Sequence, residues 1–186
     1  MRALLFRIGC LASLCLVSPA QAASILDYVG ECVPFARAAS GIQIFGNAWS
    51  WWDQAKGRYD RGHSPRVGAV IVFSKSGRLP LGHVAVVSRV VERRVAMITH
   101  ANWSRIGGER GHAEQDVTLF DVSERGDWSL VKVWFRDQKG LGTTVYPVSG
   151  FVYGTPEAAT VPKAHPSAQL SSRDPDYVGA LIDAYR

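Results

Sequence analysis

The sequence predicts an α+β fold, with N-terminal helices packed on an antiparallel β-sheet. Two short helical signals come early, at "VPFARAASG" and "NAWSWWDQAKGR". Four segments rich in valine, isoleucine and aromatics follow them. The gap between the second and third of these segments, at Glu92-Arg93, is short enough for a hairpin. Helices first and a run of strands afterwards is the α+β order.

The chain has 186 residues and opens "MRALLFRIGCLASLCLVSPAQAAS". Arg2 and Arg7 precede an apolar run from Ile8 to Val17, and Ala20-Gln21-Ala22 supplies small residues in an A-x-A arrangement. This is the layout of a cleavable secretory signal over residues 1–22, and its apolar run is too short to span a bilayer. Cys15 follows Leu14 and Cys10 lies too early, so a lipid-modified cysteine is not expected. No later apolar run is long enough for a membrane span. The expected location is exported, in the periplasm or outside the cell.

Residues 23–153 read as one domain. Its first helix starts near Cys32 and stops at Gly41, and its second runs from Asn47, a candidate N-cap, to Gly57. The strands are "VGAVIVFS", "GHVAVVSRVV", "RVAMITHA" and "WSLVKVWFR". From residue 154 to 175 the composition shifts to Pro, Ala, Ser and Thr, as in a linker. Residues 176–186 space Tyr177, Leu181 and Tyr185 as a short amphipathic helix would, a segment suited to a protein partner.

The full chain carries a formal net charge of +5. Without Arg2 and Arg7, 19 of its 21 basic residues remain against 16 acidic ones, a net +3. That mild excess suits an anionic surface such as a cell wall and falls far short of a nucleic-acid footprint. Removing the signal also removes Cys10 and Cys15, leaving Cys32 as the single thiol of an exported chain. An unpaired cysteine there is either reactive, joined to another chain, or buried as a small hydrophobe.

Cys32 stands at the front of a helix, where backbone N–H groups and the helix dipole favour a thiolate and could form one side of an oxyanion hole. His83 opens a strand just after Gly82 and is the best-placed base. His100 and Asn102 close the next strand, so a hairpin would bring either of them beside His83. An asparagine carbonyl there can accept the imidazole N–H and hold its tautomer. Order and spacing alone leave the catalytic and the bland readings both open.

Five blocks in order, "GECVPFAR", "GNAWSWWDQA", "PRVGAVIVF", "GHVAVV" and "HANW", resemble the CHAP family of cysteine- and histidine-dependent amidohydrolases and peptidases. The resemblance covers roughly Leu26 to Phe135. It implies a papain-like fold and cleavage of peptidoglycan amide bonds, either between muramic acid and L-Ala or within the peptides. It further implies Cys32 as nucleophile, His83 as general base and Asn102 as the orienting group. His100 stands about where many members have a glutamate, and Glu31 where a glutamine often precedes the cysteine. Glu31 is expected to point to solvent.

Tyr28 is considered as an oxyanion donor and His100 as an orienting group, while Trp49, Trp52 and Trp103 are candidates for a substrate groove. No cofactor is expected. The aspartate-rich loop of calcium-binding members is missing, and His63, His112 and His165 lack metal-ligand spacing, so no metal is expected either. The expected partner is peptidoglycan. Two other readings stay open: a catalytically silent CHAP-like wall-binding or assembly module, and a thiol-redox protein, although the latter has no C-x-x-C pair.

Overall fold

A computed structural model describes residues 24–154. The expected signal, the linker beyond its first residue and the C-terminal helix lie outside the described residues. Helix α1 covers Cys32–Ser40 and begins at the expected thiol. Gly41 ends it in the left-handed conformation, φ 74°, its N–H donating to the Arg37 carbonyl. The second helical stretch is more broken than expected. A 3-10 turn at Ala48–Ser50 leads into α2, Trp51–Gln54, and Asn47 makes no side-chain cap.

Among the described residues eight strands follow, against the four expected. They are β1 (Asp60–Gly62), β2 (Val70–Phe73), β3 (His83–Glu92), β4 (Val95–Ala101), β5 (Ala113–Asp121), β6 (Leu130–Phe135), β7 (Gly140–Leu141) and β8 (Tyr146–Tyr153). All pairings are antiparallel, and β3–β4 is the predicted hairpin, with Glu92 opposite Val95.

The architecture departs from a plain sheet under helices. Strand β8 pairs with β2 along one side and β6 along the other, so β8-β2-β3-β4-β5-β6 closes into a six-stranded barrel. The domain is mostly β, with two short helices. Closure was hidden in the sequence because β5 and β8 carry polar residues, a proline and a glycine where apolar alternation would mark a strand. Gly150 belongs to the irregular register of β8 against β2. Its φ is 143°, and a Cβ there would lie 2.5 Å from the Trp52 ring and 2.8 Å from the Gly62 carbonyl oxygen.

The alternation of β2 and β3 divides the core in two. Ile71, Phe73, Ala85 and Val87 face the barrel interior with Ile98, Leu119, Val133 and Phe151. Val70, Val72, Val84 and Val86 face outward into a second cluster with Phe35, Ala36, Ala39, Ile42, Ile44 and Trp51. Both faces of these strands are therefore covered, which explains their nearly unbroken apolar runs. Burying a large side chain such as Phe35 contributes roughly 1.5 to 3 kcal/mol, so this outer cluster seats the Cys32 helix firmly.

Candidate active site

Cys32 and His83 reach the same cavity from different elements. Cys32 is the first residue of α1, and His83 is the first of β3. They line a cavity of about 430 Å³ together with Glu31, Asn102, Trp103 and Arg110. The start of β3 packs tightly against the turn before α2 and the end of β2. At Gly82, φ 69°, a Cβ would sit 2.6 Å from the Trp49 amide nitrogen and 2.8 Å from the Phe73 carbonyl oxygen. Only glycine fits both that backbone and that space.

His83 is almost fully buried at the end of the barrel interior. Its ring lies against Trp103 at 4.8 Å and Phe73 at 5.5 Å between centroids. Nε2 of His83 is 3.0 Å from Nδ1 of His100, which leaves Nδ1 of His83 as the free ring nitrogen. His100 is wholly buried, and its own Nε2 ends 4.0 Å from Glu114 Oε1 without a hydrogen-bond partner. His100 and Glu114 face each other in the β4–β5 register. The Glu114 carboxylate accepts from the Ser104 N–H at 2.9 Å and from Arg136 Nε at 3.4 Å.

This row corrects the expected orienting group. Asn102 does not bond His83. Its Nδ2 donates to Glu31 Oε2 at 2.8 Å, and its backbone, at φ 64°, ties the loop to His112. The hydrogen-bond partner of the base is His100. Glu31 is exposed but not simply turned to solvent, since Asn102 holds its carboxylate. No local feature of the sequence singles out Glu114. The signal that could have found it was cross-strand pairing with His100, and that required recognising β5.

The charges in the free site favour a neutral pair. Burial pushes the Cys32 thiol up and the Glu31 carboxylate adds to the rise, while the backbone N–H groups of Val84, Cys32 and Val33 oppose it. The helix N-terminus does act on the sulfur as expected, but it is outweighed. Burial, and secondarily the positive charge of Arg110, lowers His83 to about 3. His100 is held well below the usual histidine range by burial and by His83. Its contact with Glu114 is therefore charge against dipole rather than an ion pair.

The aromatic candidates separate. Trp103, 5% exposed, lines the cavity and stacks on His100 with centroids 5.4 Å apart. Trp49 is 40% exposed but is not among the residues lining that cavity. Nor is Trp52, which packs against His63 and lies under the Arg61 guanidinium, 4.5 Å from its ring centroid. The Tyr28 hydroxyl donates to the Glu31 carbonyl at 3.0 Å and its ring packs on Phe35, so it braces the turn before the helix. Among the described residues no cluster of side chains has the make-up of a metal site.

Residues 24–102 match the CHAP domain family. The CHAP match ends at Asn102, so Arg110, Glu114 and Arg136 lie beyond it. No curated protein matches the chain. CHAP domains are in general amidohydrolase or peptidase domains, and the match points to chemistry of the peptidoglycan-hydrolase kind.

Proposed function

We propose that this protein is an exported cysteine hydrolase that cuts amide bonds in peptidoglycan, as an N-acetylmuramoyl-L-alanine amidase or a peptide endopeptidase. The observation that carries the reading is the convergence of Cys32 and a hydrogen-bonded His83 in one cavity within the CHAP match. The negative Glu114 carboxylate favours the proton on Nε2 of His100. Nδ1 of His100 then accepts the His83 Nε2–H, and the lone pair on His83 Nδ1 is free to act as base. His100 and Glu114 are positioning residues in this scheme.

Substrate enters as the thiol proton passes from Cys32 to His83 and sulfur attacks the amide carbonyl carbon. The tetrahedral intermediate collapses with cleavage of the C–N bond, and His83 gives its proton to the leaving amine. Water, giving its proton to His83, then attacks the thioester carbonyl carbon; the C–S bond breaks, the carboxylic acid leaves, and His83 returns the proton to the Cys32 thiolate. Backbone N–H groups at the start of α1 are the available donors for the oxyanion.

Digestion of purified peptidoglycan with the protein from Ala23 onward, beside its Cys32→Ala variant, tests the reading by mass spectrometry. New fragments from the wild type alone are expected, and their masses separate amidase from endopeptidase cleavage. Absence of fragments with the fold intact and the thiol reduced would favour a wall-binding or assembly module.

A further inference from the structure

The groove does not end at the nucleophile. A second cavity of about 270 Å³ shares Arg78, Leu79, Trp103 and Arg110 with the first. Its remaining lining includes Gln138, Thr143, Thr144 and Tyr146 and contains no carboxylate. Arg78 comes from the loop between β2 and β3, and Arg110 from the loop between β4 and β5. Two separate loops thus place a guanidinium at one junction. Among the described residues neither arginine has a carboxylate partner. Glu31 is the one acidic side chain lining either cavity, and Asn102 already holds it.

One of these charges works against the chemistry of the site before substrate binds. Arg110 acts on His83 so as to disfavour its protonated form. That imidazolium must form when His83 takes the thiol proton. An unneutralised cation beside a general base is a handicap in the free protein, and an anion supplied with the substrate would remove it. Peptide stems of peptidoglycan carry free carboxylates, and a planar guanidinium matches a carboxylate in geometry as well as charge.

We infer that Arg78 and Arg110 bind a free carboxylate of the substrate peptide beside the scissile amide, making the protein selective for acidic over amidated peptides. By pairing with Arg110 the carboxylate also lets His83 accept the thiol proton more readily, so recognition and activation are coupled. This rests on the hydrolase reading above and names its substrate class. The charged and titratable groups around His83 are Cys32 at the start of α1 and Glu31 just before it, His100 from β4, Arg78 and Arg110 from the loops, and Glu114 with Arg136 behind His100. Of these, the two arginines are the ones left open to an incoming anion.

The test compares peptidoglycan bearing free peptide carboxylates with the same material after carbodiimide amidation. Wild type, Arg78→Gln, Arg110→Gln, the double variant and Arg110→Lys are assayed, and the fold of each is checked by circular dichroism. Wild type should cleave the free-carboxylate material at least about tenfold faster in kcat/KM, as charge-assisted hydrogen bonds allow. The double variant should bring the two substrates within about twofold, chiefly by slowing the carboxylate one, and Arg110→Lys should keep part of the preference. The acid limb of the wild-type rate profile should lie higher in pH on the carboxylate substrate than on the amidated one, because the bound anion raises the basicity of His83. Equal wild-type rates on the two substrates would overturn the inference, as would a preference that survives in the double variant. Cleavage of neither substrate by wild type would instead remove the hydrolase reading, and the inference with it.

Discussion

At the scale of single residues, the site is a neutral thiol beside a neutral imidazole. Burial and Glu31 raise the thiol, and burial and Arg110 depress the base. Reaction of Cys32 with iodoacetamide in the free protein should therefore climb about tenfold per pH unit through neutrality and past the ordinary thiol range. A rate that levels off below pH 7 would show a preformed thiolate–imidazolium pair instead. Positioning by His100 and Glu114 predicts a graded response. His100→Ala should lower kcat by about 10²-fold or more, within the range of general-base effects. Glu114→Gln should lower it less and shift the pH profile, because removing the carboxylate charge releases the tautomer of His100. Asn102→Ala, which breaks only a bond to Glu31, should leave kcat within about tenfold of wild type. Steady-state kinetics on one defined muropeptide would rank the three.

At the scale of elements, catalysis depends on how closely the start of β3 approaches the loop before α2. Gly82→Ala forces a Cβ against the backbone at Trp49 and Phe73 in a left-handed conformation. The substitution should destabilise the protein by about 1 to 3 kcal/mol in urea titration, and it should reduce activity further by displacing His83. Phe35 acts from the other side. It is wholly buried in the outer cluster, where it shares contacts with the valines of β2 and β3. Phe35→Ala should cost about 3 to 5 kcal/mol and loosen the helix that carries the nucleophile. The helix and β3 were legible in the sequence because glycine stops and valine runs mark them locally. Strand β5 was not, since "AEQDVTLFD" begins with polar residues that break the apolar alternation, although Glu114 among them is buried against His100.

At the scale of the molecule, two buried histidines held neutral give the fold a dependence on pH. In the unfolded chain a histidine takes up a proton near pH 6.5, whereas folded His83 resists until about 3. Between those values the unfolded state binds more protons, so stability is fully present above about pH 6.5 and is lost as the pH falls towards 3. Thermal melts across that window should show a falling midpoint, and His83→Gln should make the fall shallower. A midpoint unchanged from pH 7 to 4 would mean that these rings are not held neutral by the fold.

The sequence by itself determined the local pieces: a thiol at a helix start, a histidine at a strand start, the hairpin after it and the CHAP resemblance. Each of these is written in nearby residues, as a cap, a glycine or an apolar alternation. The tertiary structure alone decided what stands behind the base. Local signals in the sequence favour Asn102, but a side chain's partner is set by strand register and by the face it occupies. His83 and His100 share the interior end of the barrel, while Asn102, in a left-handed turn, is directed to Glu31. Barrel closure likewise depends on β8 meeting both β2 and β6, a long-range pairing that leaves little trace in either strand's own composition. The arginines at the junction of the two cavities are 32 positions apart and look like ordinary surface charges until two loops bring them together.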